Sequence, residues 1–162
     1  MRNIRHVVLI FVIVSWAVLG CGGRLADGRR CPSGTKLDGA APPKDFIQRC
    51  CRKDSLKAGY CVENGPSISW HPNGQIKEKG QYDNKVGGQT GKWTTWHPNG
   101  QKESEGDYSG SVRTGHWTFW WSNGQKKAEG TVKSSGAFND NWAAWDANGN
   151  KANVFDVIRQ EE

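Results

Sequence analysis

The chain has 162 residues, five cysteines and nine tryptophans, and its 22 Lys and Arg outnumber its 16 Asp and Glu. That length leaves room for one modest domain. The positive excess is local: residues 21–61 hold nine basic and four acidic side chains, whereas residues 62–162 hold eleven and twelve. Aromatic repeats without a positive excess make a poor nucleic-acid binder, so nucleic acid is excluded as a partner. A basic stretch beside an anchor suits an anionic lipid or lipopolysaccharide surface, or serves as a plain soluble linker.

Residues 1–20 read as an export signal. Arg2 and Arg5 precede an apolar run from Val7 to Leu19, broken only by Ser15, which has the length of a signal-peptide core and is short for a bilayer span. The run ends in Val18-Leu19-Gly20-Cys21, which resembles the lipobox of bacterial lipoproteins. By that resemblance Cys21 carries a lipid, and at about 0.8 kcal/mol per buried methylene more than one acyl chain anchors stably. The alternative is an ordinary signal peptide cleaved near Gly20, leaving Cys21 as a thiol. Gly22 is not the aspartate that retains many such lipoproteins at the inner membrane, so the outer membrane is the favoured address. Residues 21–30 are Gly- and Arg-rich and read as a flexible tether with a reach of roughly 15–18 Å.

Residues 31–61 hold Cys31, Cys50, Cys51 and Cys61. An even count in an exported chain reads as two disulfides. Zinc fits poorly, since Cys31 to Cys61 has neither a Cys-x-x-Cys knuckle nor a histidine. Joining adjacent Cys50 and Cys51 would strain the ring, which leaves two pairings, with Cys31–Cys50 and Cys51–Cys61 preferred over the crossed one. A short helix is expected over 44–53, since Pro42-Pro43 blocks an earlier start. Leu37, Phe46, Ile47, Leu56 and Tyr60 are too few for a core, so the disulfides are expected to order this module.

From residue 62 to 158 one pattern recurs, followed by a tail at 159–162. Trp70-His-Pro-Asn-Gly-Gln, Trp96-His-Pro-Asn-Gly-Gln, Trp120-Trp-Ser-Asn-Gly-Gln and Trp145-Asp-Ala-Asn-Gly-Asn place Asn-Gly pairs at Asn73-Gly74, Asn99-Gly100, Asn123-Gly124 and Asn148-Gly149, 26, 24 and 25 residues apart. A fixed period marks a stacked array in which each unit buries its apolar face on its neighbours. Pro-Asn-Gly is hairpin chemistry: proline presets the first turn position and glycine takes the left-handed one. Strands are predicted at 66–71, 75–82, 92–97, 101–108, 116–121, 125–132, 141–145 and 151–158, with Gly-, Ser- and Asn-rich linkers at 83–89, 109–114 and 133–139. Gly80, Gly106 and Gly130 each stand six residues past a turn glycine, where a strand glycine lets an indole lie flat on backbone. Asp140 and Phe155 stand where glycines stood in earlier units, as befits an atypical terminal repeat.

The segment Gly91-Lys-Trp-Thr-Thr-Trp-His-Pro-Asn-Gly-Gln-Lys-Glu-Ser-Glu-Gly-Asp-Tyr108 resembles the bacterial variant of the MORN repeat, and Gly115–Val132 repeats it. The resemblance covers about residues 65–157. It implies an all-β fold, an elongated antiparallel sheet of about four stacked hairpins behind the Cys-rich module. Some bacterial members are labelled antitoxins, others are exported lipoproteins, and MORN arrays elsewhere are linked to protein interaction and membrane association. The signal sequence argues against a cytoplasmic antitoxin.

No catalytic residue, cofactor or metal site is expected. His71 and His97 occupy identical turn positions and His116 precedes a repeat tryptophan, so the repeat explains all three. Val86–Trp93 glances at a phosphate-binding loop but lacks its leading glycine and the Ser/Thr after lysine. Tryptophans three apart on a strand cannot share one face under strict alternation. Most are expected to pack between hairpins, while Trp70, Trp96, Trp120, Trp121 and Trp145 are the candidates for an exposed row gripping a glycan or protein. The sequence thus reads as a non-enzymatic, lipid-anchored interaction or spacing scaffold, with glycan binding and an antitoxin-like partnership as alternatives.

Overall fold

A computed structural model describes residues 23–42, 44, 45, 47–52, 56, 63–133 and 141–158. Residues 1–20, expected as a signal sequence, together with Cys21, Cys61, most of the 133–139 linker and the 159–162 tail, lie outside the described residues. Among the described residues ten strands follow one another: β1 (Thr35–Ala40), β2 (Ile47–Arg52), β3 (Glu63–Trp70), β4 (Ile76–Asp83), β5 (Gly88–Trp96), β6 (Lys102–Ser109), β7 (Val112–Trp120), β8 (Lys126–Val132), β9 (Ala143–Trp145) and β10 (Lys151–Ala152), before a short helix α1 (Val154–Ile158). They form one open antiparallel sheet in sequence order. The four Asn-Gly hairpins are β3–β4, β5–β6, β7–β8 and β9–β10.

The hairpin chemistry acts as its residues dictate. His71 N donates to Gln75 O and Gly74 N to His71 O, and the same pair of bonds closes the turn at His97. The turn glycines Gly74, Gly100, Gly124 and Gly149 have φ between 83 and 86°, the left-handed geometry that a Cβ disfavours. Between hairpins β6 turns directly into β7 through Gly110 and Ser111, both at positive φ. The strands therefore run into the segments expected as linkers.

Three expectations fail. Residues 47–52 form strand β2, not part of a helix, because Ile47–Arg52 pairs with β1 on one side and β3 on the other. Strand alternation also sends the adjacent Cys50 and Cys51 to opposite faces. Through β1 and β2 the Cys-rich region is continuous with the repeat sheet. The tether is the second failure. Leu25 is buried against Ile68 and Trp70, Cys31 N donates to Gly23 O, and Arg29 donates to Ser67 O and Gly80 O. Residues 23–31 are thus an arm strapped to the sheet. Third, the strand predicted over 151–158 ends after Ala152, because Asn153 Oδ1 accepts from Phe155 N and caps α1.

The two ends are covered on opposite faces. The face bearing Trp93, Trp117 and Trp142, called here the core face, carries the larger cluster: Trp117, Phe119, Ala128, Trp142 and Ala144 with Val157 of α1. The arm covers the other face at the first hairpin, with Cys31 and Cys50 joined by a disulfide (Cα–Cα 5.4 Å) beneath it. Cys51 is also disulfide-bonded.

Candidate functional site

The repeat consensus is spent on repeat-to-repeat contacts. Asn73 Oδ1 accepts from Gln75 N inside its own turn while Nδ2 donates to Pro98 O of the next turn at 2.6 Å. Asn99 does the same to Ser122 O, and Asn123 to Ala147 O. In the fourth hairpin Asp146 Oδ1 accepts from Asn148 N and Asn150 N. A second ladder runs beside the first. His71 Nε2 bonds Trp96 O at 2.7 Å and His97 Nε2 bonds Trp120 O at 2.9 Å. In the third unit Trp121 takes the histidine position and its Nε1–H donates to Trp145 O. A carbonyl oxygen can only accept, so these bonds need the Nε2–H tautomer of each histidine, as the indole N–H of Trp121 supplies by nature.

The core face is built by glycine and tryptophan in alternation. A Cβ placed on Gly80, Gly106 or Gly130 would run into the ring of Trp93, Trp117 or Trp142 respectively. Each indole lies flat on backbone and donates Nε1–H to the residue after its glycine: Gln81 O, Asp107 O and Thr131 O. Tyr82, Trp93, Tyr108 and Trp117 pack edge-to-face in series at 5.0–6.2 Å between centroids, and Phe119 stacks beyond. Arg113 lies 4.9 Å over the Trp117 ring. Burial, with the carboxylates of Glu63 and Glu78, pushes the Tyr82 hydroxyl up to about 12, so it stays a neutral part of this wall.

The tryptophans three residues on face the other way. The register shift beside Trp96 lies between its pair Lys102 and the Thr95–Ser104 pair, so the extra residue belongs to β6 and alternation along β5 is intact. Both faces therefore carry aromatic rings. On the face away from the core, Trp96 pairs with Lys102, Lys102 Nζ lies over Trp120, Trp120 pairs with Lys126, Lys126 Nζ lies over Trp145, and Trp145 pairs with Lys151. The outcome is a row of alternating Trp and Lys across repeats two to four. Trp96, Trp120, Trp121 and Trp145 are half-buried, whereas Trp70 is buried beneath the arm. Trp121 sits apart from the row, with Lys127 Nζ 4.5 Å from its ring centroid. Behind the row Glu105 takes Lys92 and Lys102, and Glu129 takes Lys126. Burial opposes the charge on Glu105, but those two ammonium groups outweigh it and hold the carboxyl below its usual range.

Sequence reasoning missed the asparagine and histidine ladders and the arm's ion cluster. In that cluster Asp27 meets Arg29 and Lys79. Partial burial disfavours its charge, yet the bonds from Lys79 and Arg29 prevail and lower its pKa. A polar residue recurring at the repeat period was the available signal for the ladders. The arm contacts had none.

None of the curated proteins compared with the chain matches it. A solved structure, the Glycosylation Associate Protein (Gap123) complex from Streptococcus agalactiae, aligns with 80% of this chain at 12% identity and a TM-score of 0.40, and this chain covers 23% of that one. Residues 63–84, 89–109 and 113–134 match the MORN repeat variant family, one hairpin in each match. Three hairpins of the chain are thus similar to MORN-variant repeats, and the fourth departs from their pattern.

Proposed function

We propose that this chain is a non-enzymatic cell-envelope lipoprotein, held by a lipid on Cys21 at the outer membrane, whose repeat sheet holds or spaces a protein partner. One observation carries the reading. Two of the three repeat histidines are spent on building the array: the His71 and His97 imidazoles donate to carbonyls of the next unit. What the array leaves free is regular, the Trp–Lys row of repeats two to four. A strip of half-buried aromatics alternating with lysines has the composition of a protein-binding surface, where large rings supply area and a polar rim supplies register. Glycan binding stands second, because a sugar needs a bare ring face and Lys102, Lys126 and Lys127 lie over theirs. An antitoxin-like role stands third, since an exported chain would have to meet its toxin outside the cytoplasm.

Two measurements test this. Cys21→Ser should abolish acyl labelling and release the protein to the soluble fraction. Cross-linking capture from the native envelope should return one stoichiometric partner, and Lys102→Ala/Lys126→Ala/Lys151→Ala should lose it without a change in melting temperature. Undiminished capture by the triple variant, or saturable binding to purified peptidoglycan in its place, would overturn the protein-scaffold reading.

A further inference from the structure

The first-strand end of the sheet carries four exposed cations, on the arm, on β1 and in the β1–β2 turn, that the fold leaves unused. Arg24 and Arg30 face each other across an isolated antiparallel bridge in the arm, and both are exposed. Like charges directly opposite one another are destabilising, and the Arg24 guanidinium donates within its own turn, to Gly28 O. Lys36 on the edge strand β1 and Lys44 in the β1–β2 turn are exposed as well. The nearby acids are engaged elsewhere: Asp27 with Arg29 and Lys79, Asp38 and Glu63 with Arg49, and Asp45 with a partner of its own. Among the described residues no ion pair joins Arg24, Arg30, Lys36 or Lys44 to a carboxylate.

Chain length says what these cations meet. Gly23 is fixed: its carbonyl accepts from Cys31 N and it packs beside Leu37 of β1. Cys21 precedes it by two residues and the apolar run ends at Leu19. At full extension two residues span about 7 Å, comparable to the roughly 8 Å Debye length at physiological salt. An arm strapped to the sheet has no slack to lift the domain away. Whatever holds Cys21 in lipid therefore holds this end of the sheet inside the field of the headgroups.

We propose that the β1 end of the sheet, through Arg24, Arg30, Lys36 and Lys44, docks on the anionic headgroup surface of the membrane that holds the chain's own anchor, so that the repeats project away from the bilayer. The docking rests on the lipid anchoring proposed above. It sets the direction of the array. Nine inter-strand steps at about 4.8 Å would carry β10 roughly 43 Å from β1, placing the Trp–Lys row clear of the lipid.

The test is hydrogen exchange on the full, acylated chain in phosphatidylcholine vesicles with and without phosphatidylglycerol, with co-flotation read in parallel. Anionic vesicles should slow the amides of residues 24–40 by about five-fold or more, leaving β5–β8 unchanged. The difference should vanish in 1 M salt, where the Debye length is about 3 Å. It should also vanish in Arg24→Glu/Arg30→Glu/Lys36→Glu/Lys44→Glu, whose unchanged β5–β8 exchange reports that it folds. Equal exchange in the two vesicle types, or protection falling on β5–β8 instead, overturns the docking. Failure to co-float with either vesicle overturns the anchoring on which it rests.

Discussion

Gly106→Ala is the smallest change that tests how this sheet is held together. The new methyl would point at Cδ2, Cε2 and Cγ of Trp117, about an ångström or more inside the roughly 3.5–4.0 Å optimum for carbon pairs. The ring has nowhere to go. It is 1% exposed, its Nε1 is held by Asp107 O and Thr114 O, and Tyr108 and Phe119 flank it. Overpacking with partial relaxation costs about 1–3 kcal/mol. Expelling the indole costs about 3–5 kcal/mol, the scale of truncating a buried tryptophan. We expect about 3 kcal/mol or more, over half the stability of a domain at the low end of the usual range of roughly 5–15 kcal/mol. Urea unfolding followed by tryptophan fluorescence measures it. The decisive comparison is a double-mutant cycle: in a Trp117→Ala background the added methyl has room, so Gly106→Ala should cost less than about 1 kcal/mol there, a coupling near 2 kcal/mol. Additive costs would refute the stacking of indole on glycine. Gly100→Ala is the contrast, since it meets only the Gln75 side-chain amide and bears only left-handed strain at φ 84°, about 1–2 kcal/mol.

Removing the Nε2 donor in His97→Ala should cost about 1 kcal/mol by leaving Trp120 O short of a partner, while His97→Trp should retain the bond as Trp121 does; urea midpoints compare the two. Because Asp27 titrates below its ordinary value in the folded state, the stability it supplies is complete above the unfolded carboxylate range near pH 4 and is lost as the pH falls through the depressed folded value. Amide exchange of residues 24–31 should accelerate in that acid window, and Asp27→Asn should exchange fast at neutral pH and lose the acid step. Reducing Cys31–Cys50, which closes a loop across a separation of 19 residues and is worth about 3 kcal/mol by loop entropy, should free the arm and expose Trp70 to acrylamide quenching while Trp117 stays shielded.

The repeat period and the Pro-Asn-Gly turns made the hairpins legible, because that chemistry is local: proline, asparagine and glycine dictate their own φ and ψ with no help from distant residues. The edges of the array were not legible for the opposite reason. Ile47–Arg52 is a strand only because β1 and β3 lie beside it, and Arg29 leaves the tether composition behind only because Ser67 O and Gly80 O accept from it across the fold. The candidate row was half legible. Spacing singled out Trp96, Trp120 and Trp145, but the lysines lying over two of those rings depend on which face β6 and β8 turn, and that is set by the register shifts beside Trp96 and Trp120.

The departures at the two ends of the array share one cause. Each core-face contact takes its glycine from one unit and its tryptophan from the next: Gly80 with Trp93, Gly106 with Trp117, Gly130 with Trp142. Four hairpins therefore make three such joints. The first hairpin has no glycine strand before it, and where the later units place Trp93, Trp117 and Trp142 it has Ser67, whose carbonyl is claimed by Arg29 of the arm. The last hairpin has no tryptophan after it, and the position six past Gly149 is Phe155, freed to sit 77% exposed on a helix whose Val157 packs back on the cluster. An end unit that kept the consensus would present a bare glycine strip or an uncovered indole to water. At the last hairpin α1 covers the core face, whereas at the first the arm covers the opposite face and reaches only the Ser67 and Gly80 carbonyls.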